Sequence, residues 1–190
     1  QEIKASYLDI SSNPYLEVEQ VINQLSNNQN LEYLNLSNNK LTDLPSNIGD
    51  LRTLVSLNLR GNELTTLPDE IGELASLKVL KVDNPDVYLR TNQLLNLPDG
   101  LGLLTNLDSL YLSGNKLKDL PKSFPKLRSL KFLDLSWNKF ENFPSEIISL
   151  NNLSYLNLAV NHIKTIPENI SNLVKLNYLN CQGDFFVNYQ

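Results

Sequence analysis

The sequence predicts an α/β solenoid. This is one elongated domain over residues 1–190, with a concave parallel β-sheet and short 3₁₀ or α turns along the convex side. Two observations predict it. First, the skeleton Leu31, Leu34, Leu36, Asn39, Leu41, Leu44, Pro45, Ile48, Leu51 begins again 23 residues later as Leu54, Leu57, Leu59, Asn62, Leu64, Leu67, Pro68, Ile71, Leu74. A fixed internal period in this range means a stack of like units. Second, the apolar spacing changes within each unit. Leu34 and Leu36 stand two apart, which puts both on one face of a strand and leaves the other face free. Ile48 and Leu51 follow Pro45 at three-residue steps, the spacing of one buried helical stripe.

The units run as follows. Residues 5–30 form an irregular first repeat: Ala5, Leu8, Ile10, Asn13 and Tyr15 fit the strand and its turn. Val18, Ile22 and Leu25 then place a short amphipathic helix over residues 17–25, where later repeats have Leu-Pro-x-x-Ile-x-x-Leu. An end repeat has one neighbour only, so this segment reads as a cap. Residues 31–53 and 54–76 are regular. The repeat at 77–106 keeps Leu77, Leu80 and Val82, but its asparagine comes only at Asn92, seven residues late. An insertion within 83–91 is therefore expected to leave the solenoid as a loop at the C-terminal end of its strand. Residues 107–129, 130–152 and 153–175 are regular again, and 176–190 is a partial terminal repeat. Phe185, Phe186, Val187 and Tyr189 are the residues available to fold over the last strand, whose unpaired backbone would otherwise be an open edge. A monomer is expected, with an end-to-end dimer as the alternative if that edge stays open.

In each repeat an asparagine stands three residues beyond the last strand leucine, where the chain turns. Its amide can satisfy turn backbone groups that would otherwise be buried unpaired. Asn13, Asn39, Asn62, Asn92, Asn115, Asn138 and Asn161 are expected to stack as a structural ladder, ended by Asp184.

These residues, in the form LxxLxLxxNxLxxLPxxIxxLxx, make the chain resemble the leucine-rich repeat family over nearly its whole length. The 23-residue type is that of bacterial surface and secreted proteins, especially of spirochaetes such as Leptospira, and of plant and animal intracellular scaffolds. The resemblance implies a right-handed curved horseshoe that binds a protein ligand on its concave sheet. It implies a secreted or cell-surface interaction protein engaging host molecules; a cytoplasmic regulatory scaffold is the alternative. A third reading is the recognition domain of an effector enzyme whose catalytic domain lies beyond Gln190.

Composition excludes several classes. A net charge of −5 disfavours nucleic acid, whose backbone is gripped by clustered Lys and Arg. No run approaches the ~20 apolar residues of a membrane span. The single cysteine, Cys181, rules out an internal disulfide, and it takes a core-facing strand position where a thiol acts as a small hydrophobe. The chain opens at Gln1 and has no methionine, so an initiator segment is expected to have been removed. No enzymatic activity is expected. The one histidine, His162, sits in a turn and cannot pair with a core-facing Cys181, and no phosphate loop, CxxC or HExxH occurs. Asp83, Asn84 and Asp86 could invite calcium, but the fragment lacks the glycine and terminal carboxylate of a dedicated loop. No cofactor and no metal are expected.

The free face of the strands is more informative. The residue before each second strand leucine runs Tyr7, Tyr33, Ser56, Val79, Ser109, Phe132, Tyr155, Tyr178. Aromatics in the last three repeats are thus side by side at the ~4.8 Å strand spacing, with Tyr111 within diagonal reach of Phe132. Trp137 precedes its ladder asparagine beside Val160, with Gly114 and Gly183 at the same place in adjoining repeats. Such rings either stabilise the sheet by stacking or anchor a partner. The partner-site candidates are Tyr111, Phe132, Trp137, Tyr155 and Tyr178, with the polar residues Lys81, Asp134 and Asn157 among them.

Overall fold

The computed structural model describes residues 5–84 and 92–184. Eight parallel strands form one sheet in strict chain order: β1 Tyr7–Asp9, β2 Tyr33–Asn35, β3 Ser56–Asn58, β4 Val79–Lys81, β5 Ser109–Tyr111, β6 Phe132–Asp134, β7 Tyr155–Asn157 and β8 Tyr178–Asn180. The register is unbroken, with Leu8, Leu34, Leu57, Leu80, Leu110, Leu133, Leu156 and Leu179 paired in one row. From Leu34 to Leu156 that row is buried and, with the one two residues on, from Leu36 to Leu158, forms the inner wall of the core, while Leu179 at its end is 37% exposed. The convex wall is a series of 3₁₀ turns, Ser46–Asp50, Asp69–Glu73, Asp99–Leu103, Phe124–Lys126, Ser145–Ser149 and Glu168–Asn172. Prolines stand just before five of them rather than inside the first turn. Each of these five is extended, and its carbonyl accepts the amide three residues on, as from Ile48 to Pro45 at 3.1 Å. A 3₁₀ turn advances the chain less broadly than a full helix, which keeps the convex side compact against strands only three residues long.

The first repeat ends in helix α1, Val18–Leu25, whose Ile22 and Leu25 are fully buried against the next repeat. One expectation fails here. Tyr15 does not take the leucine position of the turn; it is 94% exposed, and Leu16 packs against the core in its place. The displacement follows from Pro14, which restrains the turn after Asn13 and passes the inward position one residue along. Cys181 packs half-buried against the core, and burial pushes its thiol up to about 11.

The asparagine side chains close each repeat onto its neighbour. The Asn115 amide donates to the carbonyl of Leu112 in its own repeat at 3.0 Å and to that of Val82 in the preceding one at 3.1 Å; its Oδ1 accepts the amide of Leu94 at 2.9 Å. Asn39, Asn62, Asn92, Asn138 and Asn161 likewise each bridge two carbonyls, and Asn13 binds two within its own turn. All but Asn13 are buried. The insertion is fitted into this scheme at its base. Asn84 Oδ1 accepts the amide of Asn92 at 2.7 Å, while its Nδ2 donates to the carbonyls of Asn92 at 3.0 Å and of Gly114. The two ends of the insertion are thus clamped together, and Leu94 returns to full burial. Its residues 85–91, Asp86 among them, lie outside the described residues, as do Phe185, Phe186, Val187 and Tyr189. Among the described residues no helix is long and apolar enough to cross a membrane.

The ladder ends on a carboxylate. Asp184 Oδ1 accepts the amide of Asn161 at 2.8 Å, but Oδ2 occupies the place of a donating –NH₂ and is buried without a hydrogen bond. Burial raises this carboxyl above the ordinary aspartate value, against the lowering effect of the Asn161 and Ile163 amides. A group whose folded value is raised favours folding while protonated, and that contribution is lost as pH rises through the folded value. Asp184→Asn is therefore expected to stabilise the protein at neutral pH, with the gain over wild type shrinking as pH falls towards 4. Urea unfolding of both proteins at several pH values checks this; a gain independent of pH would contradict it.

Candidate functional site

The strands are too short to present more than two solvent-facing residues each, so the concave surface consists of two rows running along the solenoid. The first is Tyr7, Tyr33, Ser56, Val79, Ser109, Phe132, Tyr155, Tyr178; the second is Asp9, Asn35, Asn58, Lys81, Tyr111, Asp134, Asn157, Asn180. In-register pairing sets the spacing of side chains along a row, and this spacing is short enough for rings to stack. Tyr111, Phe132, Tyr155 and Tyr178 form a continuous series with centroid separations of 4.5, 4.3 and 4.3 Å, the last two pairs stacked nearly parallel at 11° and 4°. Lys81 Nζ lies 5.4 Å above the Tyr111 ring and extends the series by a cation–π contact. Tyr7 and Tyr33 make a looser pair at 6.4 Å.

This arrangement decides what the stack offers to a ligand. The faces of Phe132 and Tyr155 are occupied by their neighbours, so the concave solvent meets ring edges, which carry the positive end of the quadrupole. Tyr178, on the edge strand, is the most open, at 43% exposure. Desolvation, with the nearby Tyr178 phenol, pushes the Tyr155 hydroxyl up to about 12, so it remains a donor throughout the physiological range.

The polar groups beside the rings have fixed directions. Asn157 Oδ1 accepts the amide of Ala159 at 3.2 Å and Asn180 Oδ1 that of Gln182 at 3.0 Å. With the oxygens held by their own backbone, the Nδ2 groups are left to point away from it as donors. Asp134 Oδ1 accepts both the amide and the hydroxyl of Ser136, at 2.9 and 2.7 Å, and Ser136 Oγ lies 3.0 Å from Ser113 Oγ. Asn180 was not among the residues singled out from the sequence, although it repeats the position of Asn157. Toward the N-terminal half, Asp83 is buried and pairs with Arg60 Nη2 at 2.8 Å. Burial raises the Asp83 carboxyl, and the opposing pull of Arg60 is the smaller effect. Asp83 is thus committed to an ion pair and Asn84 to the base of the insertion. Among the described residues, no three of His, Cys, Asp and Glu gather as metal ligands would.

Trp137 stands apart from the four stacked rings. It lies in the turn beyond β6, half-buried, and lines a cleft of about 200 Å³ with Gly114, Val160, Gly183, Lys116 and Lys139. The backbone there is left-handed: φ is 56° at Trp137 and 57° at Val160, where the same place in other repeats holds Gly61, Gly114, Gly183, Asn38 or Ser12. For a bulky or β-branched residue this conformation costs about 1–2 kcal/mol. His162 is exposed on the same rim.

Comparison with known proteins agrees with the fold. A family model described as a leucine-rich repeat region matches residues 7–113, a two-copy leucine-rich repeat model matches 105–149 and a single-repeat model 152–173. No curated protein sequence matches. Among solved structures, a leucine-rich repeat protein of Leptospira interrogans is 40% identical with a TM-score of 0.84, over 94% of this chain and 43% of that one. The leucine-rich repeat ectodomain of the Arabidopsis thaliana receptor kinase GASSHO1/SCHENGEN3, in complex with CASPARIAN STRIP INTEGRITY FACTOR 2, is 28% identical with a TM-score of 0.72, over 93% and 21%. An internalin of Listeria monocytogenes is 26% identical with a TM-score of 0.68, over 85% and 44%. This chain spans less than half the length of each.

The stack has a measurable structural part. Phe132→Ala removes two ring contacts at once and is expected to cost about 1–3 kcal/mol, from ~0.5–1.5 kcal/mol per aromatic pair. Chemical denaturation reads this, and an unchanged midpoint would mean that the rings contribute nothing to the sheet.

Proposed function

The chain belongs to the leucine-rich repeat family, and from that premise we propose that it is a recognition module that grips another protein with its concave sheet. Contact centres on Tyr111, Phe132, Tyr155 and Tyr178, with Lys81, Asp134 and Asn157 supplying direction and Trp137 bordering the site at the rim. The observation that carries this reading is the pairing of a four-ring series with carboxamides held by their own backbone. Half-exposed aromatics beside oriented donors combine apolar area with directional hydrogen bonding at little entropic cost, because the side chains are already held. Ring edges and outward Nδ2 groups both favour oxygen acceptors, which a polypeptide surface supplies in its carbonyls.

Family membership supports the same reading, since leucine-rich repeat proteins are typically non-enzymatic binding modules. The likeness to a receptor ectodomain and to an internalin supports a place outside the cell or on its surface; that it engages host molecules there is part of the same proposal. A standard interface takes about 800 Å² from each partner, and four neighbouring repeats offer a surface of that order.

The test is an affinity capture with the immobilised domain and three variants. A protein retained by the wild type should be weakened about tenfold or more by Tyr155→Ala and by Asn157→Asp, a loss of ~1.4 kcal/mol or more. Lys126→Glu, on the convex turn, should leave retention unchanged. Loss with Lys126→Glu and retention with the two concave variants would overturn the proposal.

A further inference from the structure

We propose that the convex face joins two copies of this chain about a two-fold axis at Leu103, with Asp69 and Glu73 of each copy lying against Lys122 and Lys126 of the other. The observation behind it is the order of charge along the convex wall. The turns Asp69–Glu73, Asp99–Leu103 and Phe124–Lys126 belong to successive repeats and pack side by side. One residue past the proline, these repeats carry Asp69, Asp99 and Lys122; five past it they carry Glu73, Leu103 and Lys126. Acid thus precedes Leu103 along the solenoid and base follows it, at the same two places of the turn. All six side chains are exposed. Leu103, at 58%, is a large apolar group in solvent where every other repeat has a charged or polar residue.

A surface that runs acid, apolar, base is complementary to itself when reversed. Turning a second copy by a half-rotation about an axis parallel to the turns sets Leu103 on Leu103, Glu73 on Lys126 and Asp69 on Lys122, and the symmetry makes each ion pair twice. Moving the axis half a repeat towards the C-terminus leaves only Asp99 with Lys122 and sets Asp69 and Glu73 opposite Ser145 and Ser149, so the axis at Leu103 makes the better match. Lys122 and Lys126 have no ion-pair partner among the described residues. Glu73 meets Arg52 at 2.7 Å, but both side chains are exposed, and such a pair is exchanged at little cost. Asp69 Oδ1 accepts the amide of Gly100 at 2.9 Å, which holds this carboxylate in place. The platform beneath is close-packed, since a Cβ on Gly72 or on Gly100 would collide with the backbone of the adjoining turn. The net charge of −5 opposes self-association, but charges more than about 8 Å apart are screened at physiological ionic strength, and the short-range pairs decide. Both concave sheets stay uncovered, and the strand edges take no part.

Sedimentation velocity of the whole chain, from about 1 µM to 1 mM, tests this, with circular dichroism to show that each variant is folded. The wild type is expected to dimerise. Joint Asp69→Lys and Glu73→Lys should raise the dissociation constant about tenfold or more, and so should joint Lys122→Glu and Lys126→Glu. Each of these variants repels itself, yet an equimolar mixture of the two restores every ion pair and should dimerise as the wild type does. Asp99→Asn should tighten the dimer, because the axis sets Asp99 opposite its own copy. Tyr155→Ala should leave it unchanged, which separates a failure here from a failure at the concave sheet. A chain that is monomeric throughout, a dimer indifferent to the charge reversals, as an end-to-end pairing of open strand edges would be, a mixture that stays monomeric, or a dimer weakened by Asp99→Asn would each overturn the proposal.

Discussion

The hydrogen bonds of the ladder asparagines are the constraint on which the rest of this protein depends. A solenoid has no central core, and each repeat must bury its turn against the next one. At that turn the backbone leaves the sheet while still inside the protein, so its amides and carbonyls have no strand partner. A carboxamide is the side chain that can donate twice and accept at once. Asn62 does all of this, donating to the carbonyls of Leu59 and Leu36 and accepting from the amides of Asn39 and Leu41. Because each bridge spans two repeats, it also fixes their register, and the register aligns the concave side chains row by row.

The surface follows from that alignment. Rings a strand apart are brought to stacking distance because their strands are neither slipped nor splayed, and the same pairing that stabilises the sheet turns their edges outward. A scaffold role and the proposed recognition role are therefore compatible for Phe132 and Tyr155. Stacking orders the rings in advance, and prior order lowers the entropic cost of binding. The carboxamides of Asn157 and Asn180 are held in the same spirit, by the backbone amide two residues on.

Much of this was legible in the sequence because it depends on period alone. The strand leucines, the convex turns, the late Asn92 and the helical first repeat all follow from spacing, and so does the juxtaposition of Phe132, Tyr155 and Tyr178. What depends on local backbone was not. Tyr15 fits the pattern but is expelled after Pro14, and Leu16 replaces it. Asn84 reads as part of a loop fragment that could invite calcium, and it is the clamp at the base of the insertion. Trp137 lies on the same repeat as Phe132, yet the left-handed turn carries it to the rim with Lys116 and Lys139, whose shared cleft no one-dimensional pattern displays.

The central claim is that the ladder makes the repeats one cooperative unit. Native-state hydrogen exchange resolved to single amides tests it most directly, at Leu41, Leu64, Leu94, Leu117 and Phe140, each of which donates to the carboxamide of the following repeat. These turn amides are predicted to exchange as slowly as the strand amides beside them and to respond to denaturant with the same slope. Exchange at the rate of the exposed turns, with the strands still protected, would contradict the account.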